Sequence, residues 1–171
     1  MEPIQLDHTQ HQNLSIKNPV CYLAHDIDVA VNIGNLFRIA DALGVEKIYL
    51  TGRSSVPPNR KIKKTSRSTE KYVPYYYEQN PLSIVQQLKS DGYKIISLEI
   101  TSTSIDIRDF PCSSMGKVCL ILGSENAGVS QELLDVSDCA IHIPMLGHNS
   151  SMNVVTACSI VTFEFIKKYI P

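Results

Sequence analysis

The chain has 171 residues, of which 43% are hydrophobic and 19% are charged, and its formal net charge is −1. This composition is typical of one globular domain with a substantial core, and it gives no overall electrostatic argument for a nucleic-acid ligand. No apolar run is long enough to cross a bilayer, and the polar N-terminus does not have the pattern of a signal peptide. The five cysteines are scattered without a CxxC pair, which favours free thiols and a reducing, cytoplasmic location.

The predicted elements alternate between strand and helix along the chain. In chain order they are a strand at 19–26, a helix at 32–44, a strand at 47–52, a loop at 53–71, a strand at 72–78, a helix at 81–92, strands at 93–101 and 117–125, a short helix at 130–138, a strand at 139–145 and a helix at 152–170. This alternation predicts an α/β fold with a mostly parallel sheet and helices on both faces. We expect a short N-terminal extension over residues 1–17 and a single domain over 18–171.

Local signals mark some of the element ends. Asn32 is predicted to cap the start of the first helix and Gly44 its end. Pro74 indicates that the strand at 72–78 lies at a sheet edge or starts irregularly. The final helix is apolar on almost all sides as far as Lys167, so either a partner subunit or the rest of the domain must cover more than one of its sides.

The predicted loop at 53–71 is locally basic. Its cations are Arg53, Arg60, Lys61, Lys63, Lys64, Arg67 and Lys71, and Glu70 is its one acid. Such a segment can bind phosphates, and it can equally be a solvated loop that its charge keeps soluble.

Familiar nucleotide, hydrolase and metal motifs are absent from the sequence. There is no GxGxxG after the first strand, no GxxxxGK[ST], no GxSxG and no histidine or cysteine set at metal-ligand spacing. In parallel sheets, ligands bind beyond the carboxyl ends of the strands, where the loops 123–128 and 146–151 are predicted to lie. Within these loops Gly123 would let the backbone approach a ligand, and Glu125 would face either a ligand or solvent.

Three segments in a fixed order resemble the motifs of the SpoU/TrmH branch of the SPOUT RNA methyltransferases. They are NIGNLFRIADALGV at 32–45, LILGSENAGVSQELL at 120–134 and IPMLGHNSSMNVVTACSI at 143–160. The resemblance extends over nearly the whole chain from about residue 18. It implies an S-adenosylmethionine-dependent RNA 2′-O-ribose methyltransferase, a C-terminal trefoil knot and a homodimer. The residues themselves predict neither a metal site nor a membrane partner.

The resemblance also implies roles for individual residues. The positions that match the family's catalytic centre are Arg38, Asn32, Glu125, Ser151 and Asn153. The positions that match its cofactor pocket are Leu98, Glu99, Thr101, Gly123, Ile143, Met145, Ser151 and Met152. Two positions depart from the usual pattern: Asn126–Ala127 follows Glu125 where a glycine or a large residue is usual, and Met152 replaces leucine, which conserves volume.

A guanidinium stays protonated at neutral pH and is a very poor base. We therefore hypothesise that Arg38 holds a substrate phosphate and stabilises the developing alkoxide, that the phosphate or a water removes the proton, and that Glu125 and Asn153 fix Arg38 and the loop. Since we expect no further RNA-binding domain, the basic segment, through Arg53, Arg60, Lys61, Lys63, Lys64 and Arg67, is predicted to bind the RNA. Transfer RNA is the favoured substrate; ribosomal RNA, a catalytically silent RNA-binding protein and a nucleotide-binding α/β protein remain the alternatives.

Overall fold

The computed structural model describes residues 4–5 and 14–169. Most of the predicted N-terminal extension and the predicted end of the last helix at Ile170 lie outside the described residues. No helix of the described part of the chain is long and apolar enough to cross a membrane.

The described strands form one sheet in which all strand pairs are parallel. The strands are β1 Asn18–His25, β2 Val45–Thr51, β3 Tyr75–Glu78, β4 Lys94–Leu98, β5 Ile105–Asp106, β6 Val118–Leu122 and β7 Cys139–His142. Their order across the sheet is β3-β2-β1-β6-β4-β7-β5, so β3 and β5 are the edges.

The described residues form five α-helices, of which the first four lie between strands and the fifth follows the last strand. They are α1 Ala30–Ala42, α2 Arg60–Ser66, α3 Pro81–Ser90, α4 Gln131–Val136 and α5 Val154–Ile166. Short 3₁₀ helices occur at Thr69–Lys71, Cys112–Ser114 and Lys167–Tyr169.

Side-chain alternation along the central strands separates two apolar cores. Tyr22 and Ala24 of β1 point to the core that α1 and α5 cover, whereas Cys21 and Leu23 point to the core that α3 and α4 cover. Burial on both faces explains why β1 and β6 read as continuous apolar runs. The predicted parallel α/β sheet with helices on both faces is confirmed, while the knot stays a prediction.

Several predicted boundaries differ from the structure. Asn32 does not cap α1, because the helix starts at Ala30 after Val29, which makes no capping side-chain hydrogen bond. The segment 53–71 is not simply a loop, since α2 begins inside it, capped by the Asn59 side chain, which accepts from the amides of Lys61 and Ile62. The strand predicted at 72–78 starts only at Tyr75, after Pro74, and lies at the sheet edge as expected.

The end of the chain also differs in detail. The strand predicted at 139–145 ends at His142, and the segment from Ile143 to Asn153 has no regular structure. The last helix starts at Val154 rather than Met152, with Asn153 as its cap. Strand β5 was not predicted, because two residues are too few to show an alternating pattern.

Candidate functional site

A cavity of about 870 Å³ opens at the carboxyl ends of β4, β6 and β7. Of the predicted cofactor residues it is lined by Leu98, Glu99, Gly123, Ile143, Met145, Ser151 and Met152. Thr101 is not among the lining residues and instead forms a turn, in which its amide donates to Ser104 Oγ. The volume lies in the range of small-molecule and cofactor sites.

The loop after β6 closes on itself and forms one wall of the cavity. Gly128 N donates to Ser124 O at 2.9 Å, and Ser124 N donates to Gly128 O at 3.1 Å. The exposed residues Asn126 and Ala127 form the tip of this five-residue loop. A side chain at Gly123 would collide with the backbone of Gly128, so this glycine is required within the loop itself, a contact that the sequence interpretation missed.

Glu99, at the end of β4, holds this loop from the neighbouring strand. Its Oε2 accepts from Val129 N and its Oε1 from Ile100 N, both at 2.9 Å. A side chain at Gly128, whose φ is +68°, would collide with the Glu99 carboxylate. Glu99 therefore positions the loop in addition to lining the cavity.

One buried amide joins the three sequence motifs. The side chain of Asn32, in the first turns of α1, donates from Nδ2 to Oε1 of Glu125 at 2.6 Å. Its Oδ1 accepts from Nδ2 of Asn153 at 3.1 Å. Asn153 Oδ1 in turn accepts from Val155 N at 2.9 Å and caps α5. Glu125 and Asn153 thus bond to Asn32, and not to Arg38 as the sequence interpretation supposed.

Arg38 lies apart from the cavity of its own chain. Its side chain is exposed on α1, and within the described residues it makes no hydrogen bond or ion pair. It stands one helical turn after Gly34 and therefore on the same side of the helix. A side chain at Gly34 would collide with Thr65 and Ile62 of α2, so this glycine lets α2 pack directly on α1.

The cations of the basic segment are mostly unpaired. Arg53 lies 3.7 Å from Asp26, and its amide also donates to that carboxylate at 2.8 Å. For Arg60, Lys61, Lys63, Lys64, Arg67 and Lys71 the described part of the chain provides no ion pair. The acid of this segment, Glu70, is half-buried and accepts a hydrogen bond from Ser66, so it does not neutralise them.

His142 lines the cavity at the end of β7, and its Nδ1 lies 3.0 Å from Ser104 Oγ. Its partner in the β5 register is Asp106. The hydrogen bonds of the Arg108 guanidinium, the nearer at 2.6 Å, lower the pKa of Asp106 to about 2. Asp106 is therefore ionised at neutral pH, where its carboxylate accepts hydrogen bonds from Arg108.

In the described residues, no group of three or more His, Cys, Asp or Glu side chains could hold a metal ion.

Comparison with known proteins identifies relatives of both sequence and fold. The model of the SpoU rRNA methylase family matches residues 20–163. A Staphylococcus saprophyticus protein named as a TrmH family tRNA/rRNA methyltransferase is 31% identical over 137 residues, which are 80% of this chain and 54% of that protein. The chain thus spans about half the length of the curated relatives it matches.

Two solved structures resemble the fold closely. The AdoMet-bound rRNA methyltransferase from Sinorhizobium meliloti has a TM-score of 0.83 at 22% identity, over 94% of this chain and 62% of that chain. A structure described as giving insights into 2-OH methylation of C/U34 on tRNA has a TM-score of 0.78 at 19% identity, over 89% of this chain and 98% of that chain. At these identities the likeness establishes the fold.

Proposed function

The chain belongs to the SpoU rRNA methylase family, and on this basis we propose that it transfers a methyl group from S-adenosylmethionine to a ribose 2′-oxygen of RNA. The observation that carries the proposal is the hydrogen-bonded series Glu125–Asn32–Asn153 beside the cavity. It brings the three family motifs together although 121 positions separate Asn32 from Asn153.

The cavity suits S-adenosylmethionine in both size and chemistry. Leu98, Ile143 and Met145 offer apolar surface for a planar base. The carboxylates of Glu99 and Glu125 lie on the same wall as the closed loop and favour a cationic ligand. When bound, this cofactor supplies a methyl carbon whose sulfur leaving group needs no protonation.

The protein's part in the reaction is alignment and charge stabilisation. A methyl transfer needs the attacking 2′-oxygen held in line with the methyl carbon, and it is helped by stabilising the alkoxide as the proton leaves. Arg38 carries a permanent positive charge, and none of the residues that the structure describes pairs with it, so we propose that it binds a phosphate next to the target ribose. The phosphate oxygen or a water then accepts the proton.

Since Arg38 does not line the cavity of its own chain, the complete site is proposed to form across a homodimer. Exposed apolar residues on α5 support this arrangement: Ile160 is 40% exposed and Phe163 is 50% exposed, one helical turn apart. Two α5 helices packed together would cover these two residues, which the core of the same chain leaves exposed.

Transfer RNA is the proposed substrate and ribosomal RNA the alternative. The comparison structure concerned with methylation on tRNA matches this chain over 98% of its own length, whereas the rRNA methyltransferase matches over 62% of its length. The unpaired cations of α2 and its flanks are proposed to bind the RNA backbone.

The direct test is transfer of labelled methyl from S-adenosylmethionine to bulk transfer and ribosomal RNA, followed by mapping of the 2′-O-methylated nucleotide. Label on a transfer-RNA ribose supports the proposal. Binding of RNA and cofactor without any transfer would instead indicate a catalytically silent member of the fold. Label on a base would refute the 2′-O assignment.

A further inference from the structure

Two exposed tyrosine rings flank the basic segment, and nothing in the proposed reaction uses them. Tyr72 is 69% exposed and directly follows Lys71. Tyr77 is 50% exposed on the edge strand β3. Its hydroxyl lies within hydrogen-bond distance of two acceptors, Oε1 of Gln79 at 2.6 Å and the carbonyl oxygen of Gly52 at 2.9 Å, which holds the ring beside the start of the basic segment at Arg53.

Strand geometry places Tyr77 on the same side of the sheet as Arg38. The ring of Tyr75 packs edge-on against Phe37 of α1, with ring centroids 5.4 Å apart. Because side chains alternate along a strand, Tyr77 points to this α1 side as well. Tyr76 points to the opposite face, where it stacks on Tyr49 with centroids 5.7 Å apart.

Exposed aromatic rings among unpaired cations are the pattern that binds single-stranded nucleic acid. The cations hold the phosphates, and unpaired bases stack on the rings with little regard to sequence. A second copy of the chain is a poorer occupant, because a two-fold interface here would place the same six unpaired cations opposite themselves.

We infer that Tyr72 and Tyr77 form a stacking surface for unpaired nucleobases of the RNA substrate, on the side of the protein that carries Arg38. The inference rests on the proposed RNA substrate and specifies that the target ribose lies in a single-stranded region. Bases that are paired in a duplex cannot reach the rings, so the surface selects loops over helices.

The experiment measures the Kd of the full chain for a labelled single-stranded RNA and for the same strand annealed to its complement. Replacing both tyrosines by alanine (Tyr72→Ala with Tyr77→Ala) is expected to weaken single-strand binding roughly tenfold to a hundredfold. The Kd for the duplex should stay unchanged. The salt dependence of binding should stay unchanged for single strand and duplex alike, because tyrosines displace no counterions.

Matched variants separate stacking from other roles. Tyr76→Ala removes a ring of similar exposure from the other face and should leave both affinities unchanged. Tyr77→Phe keeps the ring but removes the hydroxyl that bonds Gly52, so it should retain most of the single-strand affinity.

Four outcomes would overturn the inference: equal losses on single strand and duplex, an equal loss with Tyr76→Ala, a Tyr77→Phe defect as large as that of the double alanine variant, or an unchanged RNA affinity of the double variant, with or without a changed molar mass in light scattering. A changed molar mass would identify the surface as a contact between chains. Methyl transfer assayed with the same RNA distinguishes the two proposals, since selective single-strand binding without transfer contradicts the proposed activity and leaves the stacking surface standing.

Discussion

Asn32 and Glu125 are joined by a 2.6 Å hydrogen bond across 93 positions of sequence. The direction of this bond explains the residue types at both ends. A carboxylate only accepts, so Glu125 needs the Nδ2 end of the Asn32 amide, and the opposite end of that amide is left to accept from Asn153. An asparagine satisfies both neighbours at once, whereas an aspartate or a hydrophobic residue cannot.

Replacing Asn32 by alanine should therefore disturb the site and the fold together. Loss of a part-buried hydrogen bond to a charged group is expected to lower the free energy of unfolding by about 1–3 kcal/mol, measured by urea denaturation. Methyl transfer should fall at least tenfold. Asn32→Asp should be worse, because it sets a second carboxylate against Glu125. The control is Asn35→Ala, one turn further along α1, and an equal loss there would contradict the argument.

Arg38→Ala should abolish most of the activity and leave the cofactor in place. Removal of one preorganised charge at the developing alkoxide is expected to lower kcat/KM by roughly 10²–10³. The Kd for S-adenosylmethionine, measured by calorimetry, should not change, since Arg38 does not line the cavity of its own chain and is proposed to contact the RNA phosphate and not the cofactor. Arg38→Lys keeps the charge without the planar fork and should give an intermediate rate. Near-normal methylation by the alanine variant would remove Arg38 from the mechanism.

Mixed dimers decide whether Arg38 acts within its own chain or across the interface. A chain with Arg38→Ala is mixed with a chain whose cavity wall is broken by Gly123→Val, a substitution that the Gly128 backbone cannot accommodate. If the site is shared, half of the dimers are mixed and each regains one complete site, so about a quarter of normal activity should return. If Arg38 acts in its own chain, no activity returns. Phe163→Glu should split the dimer and prevent any recovery.

Gly34→Ala should push α2 away from α1. The new methyl group meets Thr65 and the backbone of Ile62, which costs about 1–3 kcal/mol, and the better helix propensity of alanine offsets about 1 kcal/mol. We expect a net loss of stability of about 1 kcal/mol together with weaker RNA binding. Gly116→Ala is the matched control, since open space surrounds that position. Its unfolding midpoint should stay the same or rise slightly.

Neutralising Lys61, Lys63 and Lys64 to glutamine should weaken RNA binding and make it less dependent on salt. Each phosphate contact that is lost reduces the slope of log K against log salt by roughly 0.7–0.9. The charge-matched control changes Lys89, Lys94 and Lys117, which lie near the amino ends of the strands, opposite the cavity. An unchanged slope in the first variant, or equal changes in both, would exclude α2 as the docking surface.

Periodic patterns predicted the parallel sheet, and with it the loops beyond the carboxyl ends of the strands, which line the cavity. The apolar runs of β1 and β6 and the loops that follow them are local features. Helix α2 was not predicted because most of its residues are charged and its apolar pattern is short. Its buried residues are Ile62 and Ser66, four positions apart, and they follow the capping Asn59. The cap and this spacing are the signal that could have found it.

The role of Asn32 could not be read from its neighbours in sequence. A polar residue close to a helix start suggests a cap, but here the amide serves two partners from distant segments, and the backbone of Val29 begins the helix instead. Likewise, Gly123 was predicted to let the backbone approach a ligand, whereas it leaves room for the backbone of Gly128, and Gly128 leaves room for the carboxylate of Glu99. Tertiary contacts of this kind join distant residues and produce no periodic pattern in the sequence.

The bridge between Ser124 and Gly128, together with the anchor at Glu99, means that this wall of the cavity is already ordered before any ligand arrives. Its conformational entropy is lost when the chain folds and not when the ligand binds. Association at this wall should then need no slow rearrangement of the loop, and its rate constant should lie in the range set by diffusion and orientation. The segment from Ile143 to Asn153 is not closed by a comparable backbone bridge. Any conformational entropy that is lost when the ligand binds is therefore lost on that side of the cavity.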